Sequence, residues 1–283
     1  MSEFFTALST SSLLQNALLA GLIASVACGL VGSYVVTRRI SYIAGGVAHC
    51  TLGGMGAARY LEVVHGWSWL SPLHGAIAAA LIAALIIGWV SLKGRQREDT
   101  VISALWAIGM ATGILFIART PGYYEDLMSY LFGNILLVSR SNLVLIGVLD
   151  LLVVTIGLLF YNRFLAVCFD EEFARLRGVS VEFYYLLLLA MTALTVVVLT
   201  TVVGLVLVIA LLTLPAAIAG HFVQRLWQMM VLATIISAVV TTAGLAISYT
   251  PELPTGATTI VLTGGLYLLT IGWTRWRRGA AAR

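Results

Sequence analysis

The sequence predicts an all-α, polytopic transmembrane helical bundle of about nine spans (eight or nine). Three observations carry that prediction. Of the 283 residues, 60% are hydrophobic and only 10% are charged, whereas a soluble domain carries about 25% charge. Apolar runs of about 20 residues recur along the chain, and each can cross a hydrocarbon core of about 30 Å. Basic residues collect in alternate connecting segments, as they do when successive helices cross a membrane. No Gly/Ser- or Pro-rich linker divides the chain, so residues 1–283 read as one membrane domain with no room for a sizeable soluble one.

The spans fall in order at roughly 13–36, 41–62, 72–92, 100–118, 142–161, 184–202, 204–220, 228–249 and 256–273. The first lacks the basic flank of a signal peptide and is expected to be retained. The run from Phe183 to Gly220 contains no charged residue. One helix of that length would exceed about 50 Å at about 1.5 Å per residue, so the run must turn back, and Gly204 is the expected pivot. The apolar stretch Met128–Ser139 is too short to cross and suits a re-entrant or interfacial helix.

Arg38, Arg39, Lys93, Arg95, Arg97, Arg163, Arg175, Arg177, Arg225, Arg275, Arg277, Arg278 and Arg283 fall on one side of this arrangement. Arg59, Arg119 and Arg140 fall on the other. The bias places the first side in the cytoplasm, with the N-terminus outside and the C-terminus cytoplasmic. It also accounts for the net charge of +4 without a nucleic acid partner. Anionic membrane lipid would help to hold the basic tail.

The second span reads Ser41-Tyr-Ile-Ala-Gly-Gly-Val-Ala-His-Cys-Thr-Leu-Gly-Gly-Met-Gly. Gly45, His49, Gly53 and Gly56 share one helical face, and Gly46, Cys50, Gly54 and Ala57 form the adjoining stripe. Small residues at this spacing let helices approach closely, so the helix is expected deep in the bundle. His49 is the histidine placed well inside a span, and an intramembrane ionisable group is a functional candidate. Its imidazole suits Zn, Mn or Fe; the alternative is a structural inter-helix hydrogen bond. Cys50 beside it is a second pathway candidate, although Cys28, Cys50 and Cys168 all read as small packing residues without a disulfide. Asp150 lies mid-span and either faces a cation pathway or bonds to a neighbouring helix. His221 at an inner helix end is either an exit ligand or a partner of the helix C-terminus. His65 and His74 flank an outer loop beside Trp67 and Trp69, which read as an aromatic belt.

A long polar stretch, residues 163–182, interrupts the apolar spans. Asp170 can cap a helix, Glu171 and Glu172 suit its first turn, Arg175 and Arg177 its last, and Gly178 its end. A helix of about two turns is not stable alone and must dock on something. It reads as a coupling element for a soluble subunit. The chain has no Gly-x-x-x-x-Gly-Lys-Ser/Thr phosphate loop, no His-Glu-x-x-His motif and no Gly-x-Ser-x-Gly elbow, so it is not expected to be an enzyme.

The chain resembles the zinc/manganese/iron uptake permease family of ABC transporters over nearly its whole length. The resemblance is carried by Arg38-Arg-Ile-Ser-Tyr-Ile-Ala-Gly-Gly-Val-Ala-His49, by Arg97-Glu-Asp-Thr, and by Pro121-Gly-Tyr-Tyr-Glu-Asp-Leu-Met-Ser-Tyr-Leu-Phe-Gly-Asn. Phe169-Asp-Glu-Glu-Phe-Ala-Arg-Leu-Arg-Gly-Val, the stretch from Val203 to Ala217 and Pro254-Thr-Gly-Ala-Thr-Thr add to it. The resemblance implies a bacterial cytoplasmic (inner) membrane permease for divalent metal as transported substrate, with no permanently bound cofactor. It further implies a second permease subunit, identical or not, two ABC ATPase subunits docked at Asp170–Gly178, and an extracytoplasmic metal-binding protein. One position departs from the family. Many members carry an aspartate four residues before the histidine, and here that position is Gly45. A metal-chelate permease of the siderophore or cobalamin type and an ion-coupled secondary transporter are the competing readings. The latter should show repeats and several buried midplane charges.

Overall fold

The computed structural model describes residues 2–93, 98–121, 140–251 and 253–281. Among them the regular structure is entirely helical: α1 (Ser2–Thr10), α2 (Ser12–Thr37), α3 (Ser41–His65), α4 (Pro72–Lys93), α5 (Glu98–Arg119) and α6 (Arg140–Leu159) come first. They are followed by α7 (Tyr161–Phe169), α8 (Glu171–Leu176), α9 (Val181–Val203), α10 (Leu205–Gly220), α11 (Leu226–Tyr249) and α12 (Thr255–Ala281). The expected re-entrant segment Met128–Ser139 lies outside the described residues, as does most of the loop before it.

Local chemistry explains the breaks. The Ser11 hydroxyl caps α2 by accepting from Leu14 N at 3.4 Å. Between α9 and α10, Gly204 takes φ 79 and ψ 167, a conformation open essentially to glycine, and the helix axis restarts there. The apolar run therefore breaks at the expected pivot. The axis also turns by 71° between α6 and α7.

Among the described residues six helices are long and apolar enough to cross a membrane: α2, α4, α5, α9, α11 and α12, and the bent α6–α7 pair can make a seventh. That is fewer than the nine helical spans expected, although a helix stands at each of the nine positions. The shortfall lies in α3 and α10. Glycines, His49, Arg59 and Glu62 dilute the hydropathy of α3, and α10 has only 16 residues.

The bundle is organised around α2, whose apolar window is 72% buried, against 11% for α5. It packs on α6, α9, α10 and α11. Glycine makes these approaches close: a Cβ on Gly29 would strike Thr234, and one on Gly32 would strike the Leu212 carbonyl. Tyr34, fully buried, donates its hydroxyl to the Gly157 carbonyl at 3.0 Å and so ties α2 to α6. A second layer is built on α3, which lies between α4 and α5. Gly54 and Gly75 face each other backbone to backbone across α3 and α4. Cβ atoms on Gly53 and Gly56 would come within 2.8 Å of the Gly109 and Gly113 carbonyls of α5. Packing without bulky side chains is the usual way to hold helices together where lipid removes the hydrophobic drive. One apolar core runs through both layers, from Phe4 to Leu245.

Candidate functional site

His49 sits where α3, α5 and α10 meet. Its side chain is buried, 7% exposed, and its ring stacks on Trp106 of α5 at 4.3 Å between centroids and 19° between planes. The Nδ1 atom has no hydrogen-bond partner. A structural histidine normally spends both ring nitrogens on hydrogen bonds, and an unpartnered buried nitrogen is costly. His49 thus offers an uncommitted nitrogen inside an apolar pocket.

One turn earlier, a Cβ on Gly45 would lie 3.3 Å from Trp106 Cζ3 and 3.3 Å from Ile209 Cδ1. Trp106 and Ile209 fill the space where a side chain at position 45 would project. The missing carboxylate and the tryptophan are two sides of one packing arrangement: an aspartate there would have to displace the indole. Gly46 is equally tight, its Cβ position 2.8 Å from Ile102 Cγ2. Trp106 escaped notice in the sequence. Its signal is position, since the other tryptophans stand at span ends or in loops whereas Trp106 lies in the middle of a run.

The remaining pathway candidates are not brought to His49. Cys50 follows it in α3 but donates its thiol to the Leu105 carbonyl at 3.3 Å, which commits it to the α3–α5 seam. Asp150 is buried where α6 packs on α2. The Ala27 backbone hydrogen-bonds to its carboxyl group and Oδ1 is unpartnered. Its neighbours are Ala27 and Cys28 of α2. His221 is the exposed C-cap of α10. Among the described residues no group of three or more His, Cys, Asp or Glu side chains converges.

The polar stretch folds as two short helices, where the sequence pointed to one. In α8 the Asp170 carboxylate accepts from Phe173 N at 2.9 Å, and Glu171 and Glu172 occupy the first turn. At its end Gly178, with φ 74, lets Val179 N reach the Ala174 carbonyl and its own N–H reach Arg175, closing the helix in a Schellman arrangement. Just before it, α7 buries Phe164, Val167 and Cys168. Its periodicity was hidden by its shortness. Past the bend, burial pushes the Cys168 thiol up to about 12, against the pull of the Arg38 guanidinium.

This segment is pinned at both ends. Glu171 forms an ion pair with Arg38 at the end of α2, and Arg175 lies 3.8 Å from Glu182 in the first turn of α9. The Arg38 guanidinium also rests over the Tyr185 ring at 5.5 Å. Meanwhile Phe169, Phe173 and Leu176 are 66%, 50% and 87% exposed. A charged helix that leaves Phe173 and Leu176 uncovered, with Phe169 exposed at the end of the helix before it, presents a surface of the kind that marks a protein contact.

Known proteins agree with this architecture along the whole chain. A membrane protein of Synechocystis sp. is 45% identical over 262 residues, covering 93% of this chain and 91% of the relative. The manganese transport system membrane protein MntC of Halalkalibacterium halodurans is 33% identical over 291 residues, covering 100% and 97%. A chain in the solved structure of PsaBC from Streptococcus pneumoniae in complex with Fab superposes with a TM-score of 0.82 at 29% identity, covering 95% of this chain and 94% of that one. Residues 10–273 match the ABC 3 transport family. A multi-pass membrane protein with a buried histidine layer and a pinned polar segment, this chain belongs to the ABC 3 transport family.

Proposed function

We propose that this chain is the membrane permease subunit of an ATP-driven importer of divalent metal ions: manganese, zinc or iron. The observation that carries the reading is the end-to-end similarity to a manganese transport membrane protein, joined to a buried histidine with a free ring nitrogen. The chain crosses the bacterial inner membrane about nine times, with α3 and α10 sheltered by their neighbours and therefore able to cross despite low hydropathy or short length. The N-terminus is outside and the C-terminus cytoplasmic, as the basic residues require.

In this reading two permease subunits enclose the pathway and each contributes one His49. One imidazole from each subunit is too few ligands to hold a divalent cation tightly. Loose binding suits transport, because an ion that is to leave must not be caged. An extracytoplasmic metal-binding protein delivers the ion, and ABC ATPase subunits grip α8 through Phe173, Leu176 and the surrounding charges.

Alternating access then follows from how α8 is attached. Movement of α8 is carried to α2 through Arg38 and to α9 through Glu182. The break at Gly204 passes movement of α9 to α10, and α10 supplies Ile209 to the wall beside Gly45. The pathway side of His49 is thereby linked to the docking face by packed helices with one hinge.

The test is uptake of radioactive manganese, zinc and iron into vesicles carrying this chain, its ATPase and its binding protein, with and without internal ATP. ATP-dependent uptake of a free ion, lowered by His49→Ala at equal expression, is expected. Intact ATPase activity with no uptake of any free ion would overturn the metal-ion reading in favour of a chelate.

A further inference from the structure

Between α2, α6 and α11 runs a groove of about 690 Å³. Its walls are Val26 and Leu30 of α2, Val154 and Leu158 of α6, and Val231 and Ile235 of α11. Leu158, Val231 and Ile235 are more than half exposed, so the groove opens to the surroundings of the bundle. It is a slot for a chain rather than for a helix. Two helical turns about 10 Å wide already fill roughly 850 Å³.

The groove is not uniform along its length. Apolar along its walls, it ends in Tyr161, Asn162 and Trp227. Tyr161 and Asn162 come immediately after the 71° bend from α6 into α7, and Trp227 lies in the first turn of α11. Amphipathic rings of this kind settle at the level of lipid headgroups. Two exposed arginines flank this end in the chain: Arg163 follows Asn162, and Arg225 is the N-cap of α11, two residues before Trp227. Neither takes part in an ion pair among the described residues.

We propose that this groove is a binding site for an anionic phospholipid, with one acyl chain along Val26, Val154 and Val231 and the phosphate headgroup at Arg163 and Arg225. An apolar slot, an amphipathic belt and two uncommitted cations occur in the order that a phospholipid presents them. Basic pockets between transmembrane helices bind acidic headgroups by the same chemistry. The site lies against the α6–α7 bend from which α8 is suspended, so the lipid braces the docking segment. The inference rests on the membrane reading of the bundle and is independent of which substrate is transported.

The experiment uses the full chain in nanodiscs. Trp227 emission, taken as the difference between wild type and Trp227→Phe, is followed with brominated-acyl phosphatidylglycerol or brominated-acyl phosphatidylcholine at equal mole fraction. Phosphatidylglycerol is expected to be enriched by about fivefold per arginine, so it quenches the Trp227 emission at much lower mole fraction. The double variant Arg163→Gln/Arg225→Gln should bring the two lipids together while keeping its thermal stability. Equal quenching of the wild type by both lipids would overturn the proposal, leaving only annular lipid. Absence of quenching by either would overturn it too, and would assign the groove to a second copy of this chain. The wild-type comparison stands by itself should the double variant fail to fold, and neither arm requires metal or ATPase.

Discussion

Arg38, at the C-terminal end of α2, is ion-paired with Glu171 in the first turn of α8. The two residues are 133 positions apart in the chain, yet this pair joins the bundle's central helix to the polar segment. Partly exposed pairs contribute only about 0–1 kcal/mol to stability. Glu171→Gln is therefore expected to leave the melting temperature nearly unchanged while lowering ATP-driven uptake several-fold with ATP hydrolysis maintained. Equal loss of hydrolysis and uptake would mean that the pair serves folding or docking rather than coupling.

Leu176 projects from α8 at 87% exposure, and Cys168, two helical turns away in the chain, is buried. With its thiol pushed up to about 12, Cys168 holds almost no thiolate near pH 8 and should label slowly with maleimide. In the variant Leu176→Cys the new thiol should label rapidly, and bound ATPase subunits should protect it. Labelling at position 176 that is indifferent to the ATPase would remove α8 from the docking surface.

Gly204 holds a backbone conformation that costs a residue with a Cβ about 1–3 kcal/mol. Gly204→Ala should lower thermal stability by about that amount and reduce uptake by more than the loss of folded protein explains. Thermal melts and uptake normalised to folded protein measure both effects.

Across the α3–α4 seam, Gly54 and Gly75 each leave no room for the other's Cβ. Gly54→Leu should force the helices apart, and overpacking of a tight core costs about 1–3 kcal/mol. Reduced yield and a lower melting temperature are expected. Gly147, where an added Cβ would meet nothing within 4 Å, is the control position: Gly147→Ala should be neutral or slightly stabilising.

Asp150 belongs to the seam between α6 and α2, whereas His49 lies on α3. Asp150→Asn keeps the shape of the side chain and is expected to transport normally, since the carboxyl group faces α2 rather than α3. Uptake below about a tenth of wild type at equal stability would instead place the carboxylate on a cation route, where removal of an intramembrane charge is felt directly.

Much of this architecture was legible in the sequence because bilayer physics restricts the choices: apolar length gives helices, and Gly204 and Gly178 mark breaks that few other residues permit. The cap at Asp170 was legible for the same local reason. What escaped was non-local. Nothing in the spacing of α5 says that Trp106 covers His49, since that contact depends on the rotation of two helices about their axes. Asp150 and His49 both read as buried polar groups, and only packing separates them into different junctions. Helix α7 was missed because nine residues give too few turns for periodicity to stand out from its flanks.

Helix α10 has 16 residues, about 24 Å at about 1.5 Å per residue, which is less than the hydrocarbon thickness of about 30 Å. Most of its side chains are buried against other helices, so the bilayer is not forced to thin around it. A path along α10 is therefore about 6 Å shorter than the hydrocarbon around it. A transmembrane voltage falls across the non-conducting part of a path, so along α10 it would fall over about 24 Å. Each elementary charge crossing 100 mV exchanges about 2.3 kcal/mol with the field, and a divalent cation would exchange about twice that over this shortened distance.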